Sequence, residues 1–439
     1  MANKSRPKKT RGIFYKKYVY GVTEDVYEDS NGDLWIKGDD NNIDHIDDNN
    51  IKNIKPHKDN SIDKTTGLRL PLEIIIEILK LTSNPYCTNH LVLCRAIYWM
   101  FLKNIYEYPE LKSKNLESFL DVISGDDAAM VKEIDDDLII NKDKKKVNSK
   151  LALKRKFQLM VKCLDLSSVV QNGKNSYMSK LLRRTSNSLE IFISSQSSFG
   201  AAPLVSLRAC NELKILDLRL VSESVNLVEL FKSIESLPQL EQLCFPRSSL
   251  ICDEYEFKWP EKLWYLRLQG GITDSFAINV RLPQTITTLE FAHCPNLTDE
   301  GLNYILSNIG INLNRLSIQY PMPKIGEKGA DKSFYLCPNL KYFFIDIGYI
   351  SWELLNEENL VFLEEFDRPL KSIIIESTGY MGMCEKLTPN DITVAVDEGR
   401  LPCLEKLGLS AMLGWDFKSD DMEDMVSELF HHDIQVFKI

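Results

Sequence analysis

From residue 161 onward the apolar positions recur as one unit, apolar-x-x-apolar-x-apolar, which appears eleven times. It reads VKCLDL at 161, LEIFI at 189, LKILDL at 213, LEQLCF at 240, LWYLRL at 263 and ITTLEF at 286. It continues as LNRLSI at 313, LKYFFI at 340, LKSIII at 370, LEKLGL at 404 and IQVFKI at 434. Each unit is long enough for one short strand. In a strand the fourth and sixth positions share a face, the first anchors the turn into it, and the third, fifth and seventh point the other way. One unit cannot bury its own apolar face, so the eleven must stack, giving a continuous core under a parallel sheet with helices or turns outside.

The starts at 161 and 434 bound ten steps of about 27 residues each, within the roughly 20 to 29 that leucine-rich repeats occupy. The expected fold is therefore α/β, a leucine-rich-repeat solenoid over 151–439 with the parallel sheet on its concave face. The stretch LEFAHCPNLTDEGLNYIL, 289–306, resembles the cysteine-containing class of these repeats through Cys294, Leu297, Thr298, Asp299, Gly301 and Leu302. Thr298 is placed to cap a helix that carries Asp299 and Glu300 in its first turn, where negative charge suits the dipole. Cys294 and Cys337 read as structural. Positions opposite the core face supply the candidate surface for contact with another protein: Tyr265, Arg267, Gln269, Glu290, Arg315, Gln319, Tyr342, Phe344, Asp346, Glu376 and Lys406. Tyrosine and arginine are favoured as interface hot spots, and an exposed phenylalanine has no packing reason to face solvent.

A second pattern precedes the repeats. In LRLPLEIIIEILKL, 68–81, the apolar side chains cover an arc of roughly 220° on a helical wheel, and only Glu73, Glu77 and Lys80 keep a polar edge. Such a helix needs cover on two sides, from its own small domain and from something else. The stretch resembles the F-box, through Leu70, Pro71, Glu73, Ile74, Ile75, Ile78 and Leu79, then Leu91, Val92, Leu93, Cys94 and Arg95, then Phe101, Leu102, Ile105 and Tyr106. Tyr98 and Trp99 stand near the usual tryptophan position of that motif. With YPELKSKNLESFLDVIS after it, 108–124, the order of parts resembles fungal F-box and leucine-rich-repeat proteins.

That resemblance implies a small all-α F-box ahead of the solenoid and a non-catalytic function: substrate receptor of a ubiquitin ligase built on a Skp-type adaptor and a cullin. Leu70, Pro71, Glu73, Ile74, Ile75, Ile78, Leu79, Leu91, Cys94, Arg95 and Tyr106 would hold the adaptor, and the repeats would hold an unknown protein substrate. The competing reading is that the leading helices only cap the open end of the solenoid, in a free-standing scaffold or a GTPase regulator. A cap, however, needs only one apolar face.

Composition sharpens these boundaries. Residues 21–66 are rich in Asp, Asn and Lys with few large apolar side chains, so 1–66 is expected to be mostly disordered, although VYEDSNGDLWIKG admits a hairpin near 26–36. The F-box and connecting helices then occupy 67–123, and the charge blocks of 124–150 read as a linker or insertion. A net charge of −10 argues against nucleic-acid binding by the body of the protein. The start lacks an apolar leader and no charge-free run is long enough for a span, so no membrane is expected. Ten cysteines without a C-x-x-C pair point to a reduced cytoplasmic or nuclear location, with no metal and no disulfide framework. Phosphate-loop, dinucleotide, hydrolase and zinc-protease motifs are missing, so neither an active site nor a cofactor is expected. His431 and His432 beside Asp433 are expected to face solvent or cap a helix.

Overall fold

The computed structural model describes residues 26–28, 34–36, 74, 78, 95–124, 157–170, 175–197, 199–251, 255–360, 368–378 and 386–439. The disorder expected of most of 1–66, and the linker at 124–150 apart from Ser124, lie outside the described residues. The chain divides into two units, 1–84 and 85–439. In the first, β1 (Val26–Glu28) pairs antiparallel with β2 (Leu34–Ile36), with Tyr27 opposite Trp35.

The second unit is built on one sheet of eleven parallel strands, each hydrogen-bonded to the next in chain order. They are β3 (Cys163–Asp165), β4 (Ile191–Ile193), β5 (Ile215–Asp217), β7 (Gln242–Cys244), β9 (Tyr265–Leu268), β10 (Thr288–Ala292), β11 (Arg315–Gln319), β12 (Tyr342–Asp346), β13 (Ser372–Glu376), β14 (Lys406–Leu409) and β15 (Gln435–Lys438). Two short strands, β6 (Val225–Asn226) and β8 (Ser249–Leu250), pair separately. Every repeat of the sequence thus supplies one strand of the sheet. In the first ten, the strand begins at the third position of the unit. Leu263, Leu266 and Leu268, then Ile286, Leu289 and Phe291, then Leu313, Leu316 and Ile318 are each fully buried, the first, fourth and sixth positions that the alternation assigns to the core. One apolar cluster runs without a break from Leu111 to Ile434.

The last repeat departs from the pattern. Register pairs Leu407 with Val436 and Gly408 with Phe437, so IQVFKI enters the sheet one residue early and its alternation is reversed. Phe437, predicted to point inward as a fourth position, stands 38% exposed on the opposite face. A side-chain period of two makes any one-residue slip exchange the faces. Helix Asp420–His431 precedes this strand, and its end is tight: His432 caps it and Asp433 adopts a left-handed φ of 58°.

At the other end the core is closed by helix Leu116–Ile123, whose Leu116, Leu120 and Ile123 join the apolar cluster. The Lys162 amide donates to the Glu107 carbonyl, and the Gln158 side chain donates to the Ile123 carbonyl. The final turns of helix Arg95–Glu107 and the segment after it therefore serve as the terminal cover that a solenoid needs.

Neighbouring repeats are also tied by acids at helix starts. Thr298 stands at the N-cap of helix Asp299–Ile309, but its hydroxyl does not cap that helix. It donates to Asp274 of the preceding repeat at 2.9 Å, as does its own amide. A Cβ at Gly301 would collide with that carboxylate, which gives the glycine of the cysteine-containing signature its reason. Asp299 in turn accepts from the Gly326 amide, and Asp331 from the Ser351 amide and hydroxyl. Cys294 faces inward and its thiol donates to the Leu268 carbonyl at 3.4 Å. Burial pushes Cys210, Cys244, Cys294 and Cys337 up to about 12. These four should remain thiols, and so resist alkylation, at pH 8 in the native protein. Iodoacetamide labelling followed by peptide mapping should find them modified only after denaturation, with half-exposed Cys403 as the reactive control.

Candidate interaction surfaces

Two groups of residues carry the expected contacts: the adaptor group, Leu70 to Tyr106, has members in both units, and the substrate group lies wholly in the second. In the first, Ile74 and Ile78 are helical, one turn apart on one face, and 46% and 43% exposed. The other expected adaptor contacts at Leu70, Pro71, Glu73, Ile75, Leu79, Leu91 and Cys94 lie outside the described residues. Arg95 opens helix Arg95–Glu107. Tyr106 is used by the cap: its ring stacks on Phe157 at 4.7 Å and on Phe119 at 6.1 Å.

The face of the sheet opposite the core, the inner face, is defined by register. One line across it holds Tyr265, Thr288, Arg315, Tyr342, Ser372 and Lys406. The next holds Cys244, Arg267, Glu290, Ser317, Phe344, Ile374, Gly408 and Phe437. At the carboxyl ends, Ala292 stands beside Gln319 and Asp346 beside Glu376. The structure thus brings the predicted residues onto one surface, but it corrects the expectation that all of them are open.

Tyr265, Gln269, Glu290 and Asp346 are buried, at no more than 3% exposure. Strands about 4.8 Å apart bring long side chains on the inner face within reach of one another, and here the charges find partners inside the protein. Arg267 Nη1 donates to Glu290 Oε2 at 2.6 Å, Nη2 to Gln319 Oε1 at 3.2 Å and Nε to Gln269 Oε1 at 3.3 Å. Gln269 spends its amide on the Phe245 and Arg219 carbonyls. Arg219, which the repeat pattern did not single out, pairs with Asp217 at 2.9 Å. Burial alone would pull the Arg267 guanidinium down; Glu290, with smaller contributions from Tyr265 and Cys244, outweighs it and leaves Arg267 raised. Tyr265 is raised well above the ordinary phenol range, first by burial and then by Glu290.

Beyond β11 the face opens. Tyr342 is 40% exposed with the Arg315 guanidinium 4.4 Å above its ring, a cation–π pair. Gln319, Phe344, Glu376 and Lys406 are partly exposed. At the C-terminal helix, His432 Nε2 lies 3.3 Å from Glu428 on its own helix. Among the described residues there is no cluster of His, Cys, Asp or Glu that could hold a metal ion, and no helix long and apolar enough to cross a membrane.

A stack of parallel strands joined by turns and helices and closed at its start by a helical cover defines a leucine-rich-repeat protein. No protein-family model matches the chain. Over 355 residues it is 42% identical to F-box protein YDR306C of Saccharomyces cerevisiae, an alignment covering 81% of this chain and 69% of that one. It is 31% identical over 346 residues to Protein pof5 of Schizosaccharomyces pombe, covering 79% and 90%. A crystal structure of a leucine-rich repeat protein from Bacteroides ovatus aligns at 14% identity over 57% of this chain and 55% of that one. Its TM-score of 0.16 is too low to add anything to the fold described above. The chain belongs to the fungal F-box and leucine-rich-repeat proteins.

Proposed function

We propose that this chain is the substrate-recognition subunit of a ubiquitin ligase of the Skp, cullin and F-box type, and that it has no catalytic centre of its own. The observation that carries this reading is the exposed pair Ile74 and Ile78, set ahead of a repeat domain in a chain 42% identical to a protein named as an F-box protein. Two isoleucines side by side on a helix in water are costly unless something covers them, and a helix laid into an apolar groove of a partner is a common cover. The solenoid then supplies a long inner surface for a target. Its place in the reaction is to bring a substrate lysine close to a ubiquitin-conjugating enzyme, since proximity alone supplies much of the acceleration in a bridged transfer.

Affinity purification of the full chain should recover a Skp-type adaptor and a cullin, and removal of residues 67–107 should lose both. Reconstitution should give transfer of ubiquitin to a bound protein with no reducible ubiquitin adduct on the chain itself. Recovery of neither partner by the intact chain would sink the ligase reading and leave the free-standing scaffold. A ubiquitin thioester on any cysteine would overturn the non-catalytic assignment.

A further inference from the structure

The inner face changes character at β12. From there to β15 its middle line is Phe344, Ile374, Gly408 and Phe437, an apolar floor where the preceding strands carry Arg267 and Glu290. Gly408 makes the floor continuous. A Cβ on it would lie 2.8 Å from the Phe437 ring and 3.2 Å from the Ile374 side chain, so its absence lets the two side chains close over the strand between them. The reversed alternation of the last repeat is what brings Phe437 to this side.

Beside the floor, at the carboxyl ends of β12 and β13, Asp346 and Glu376 are register partners. Asp346 is 3% exposed. Its Oδ1 accepts from the Gly348 amide at 2.8 Å, while Oδ2 is sealed from water and lacks a geometrically sound hydrogen bond among the described residues. Lys386 lies near enough to offset part of the Asp346 charge, as does the Thr378 amide. Burial raises both carboxyls above their ordinary values, and at Glu376 the Asp346 charge adds to it. Two adjacent carboxylates, Asp346 sealed and Glu376 partly exposed, therefore border a partly exposed apolar strip.

We propose that this face takes an apolar segment of a protein substrate bearing a lysine or arginine, the cation lying against Glu376 with Asp346 behind it and the apolar side chains covering Phe344, Ile374 and Phe437. The proposal rests on the reading of the repeats as the substrate-holding domain and names the chemistry they select. A wholly apolar segment would cover the partly exposed Glu376 carboxylate with no donor to it, and an acidic one would add a third negative charge to the pair. A cation supplies the missing donor and relieves the repulsion together. Four strands set the length of the segment, because their outer pair stand about 14 Å apart, a distance covered by about ten helical or four extended residues.

The test uses the full chain and three fluorescent peptides of about twelve residues: lysines spaced among leucines, the same with glutamate for lysine, and the same with serine for leucine. The lysine–leucine peptide should bind at least about tenfold tighter than the other two, and Asp346→Asn with Glu376→Gln should remove that preference over the glutamate peptide. Phe437→Ser should weaken the lysine–leucine peptide with no change in melting temperature. Equal binding of the lysine and glutamate peptides, binding of none, or a preference that survives the double variant would each overturn the proposal. Adaptor capture by the same preparations reports on the receptor reading separately, and none of these substitutions should alter it.

Discussion

Replacing Arg267 with alanine should lower the stability of the solenoid by about 3–5 kcal/mol, the usual cost of removing one partner from a buried ion pair. Glu290 is fully buried, and Arg267 is its ionic partner at 2.6 Å. Its second oxygen, Oε1, already lacks a hydrogen bond among the described residues, so truncation would strand a whole carboxylate in the sheet. Gln269 and Gln319 would each lose a donor as well. Removing both charges with Arg267→Met and Glu290→Leu should recover most of the loss, because a well-packed apolar pair often equals a buried ionic one. Lys371→Ala provides the contrast. Its bridge to Glu405 is half in water on both sides, and such solvent-screened pairs contribute little to stability. Urea unfolding midpoints should fall steeply for the first, little for the second and hardly at all for the third. An Arg267→Ala midpoint close to that of the parent would mean the charges of the inner face are not held as described. The same reasoning disqualifies Arg267→Glu as a probe of substrate binding, since its effect would come through the fold.

The strands were legible because each core position repeats: leucine, isoleucine or phenylalanine at first, fourth and sixth places can satisfy only a stacked sheet. Two things were not. Alternation assigns Arg267 and Glu290 to the inner side, yet it cannot say that they meet each other there, because that depends on the register between β9 and β10 and on side-chain length. Hence a surface read as open is half closed, and its open half begins only at β12. The slip at Gln435 was equally hidden. IQVFKI matches the unit letter for letter, and only the turn after Asp433 starts the strand one residue early and carries Phe437 across. Thr298 follows the same logic, since a threonine before a helix reads as a cap until a carboxylate from the preceding repeat outcompetes the helix for its hydroxyl. Tyr106 belongs to a motif that predicts adaptor contact, but the chain that follows folds back and gives its ring two aromatic neighbours.

Ile74→Asp combined with Ile78→Asp should abolish capture of a Skp-type adaptor. Each isoleucine is nearly half exposed, so its replacement costs the free chain little, while in a covered contact each would bury an unpaired carboxylate. At about 2 kcal/mol or more per carboxylate, the pair should weaken capture by several hundredfold or beyond. The two positions lie in the unit that ends at residue 84, outside the apolar cluster of the solenoid that begins at Leu111. The far-ultraviolet circular dichroism and the main melting transition should therefore match the parent, which separates loss of a contact from loss of the fold. Ile74→Leu with Ile78→Leu keeps the apolar area and should retain capture. If the aspartate pair binds the adaptor as well as the parent does, the exposed isoleucines are not the gripping surface, and the helical segment from Arg95 onward becomes the part to test.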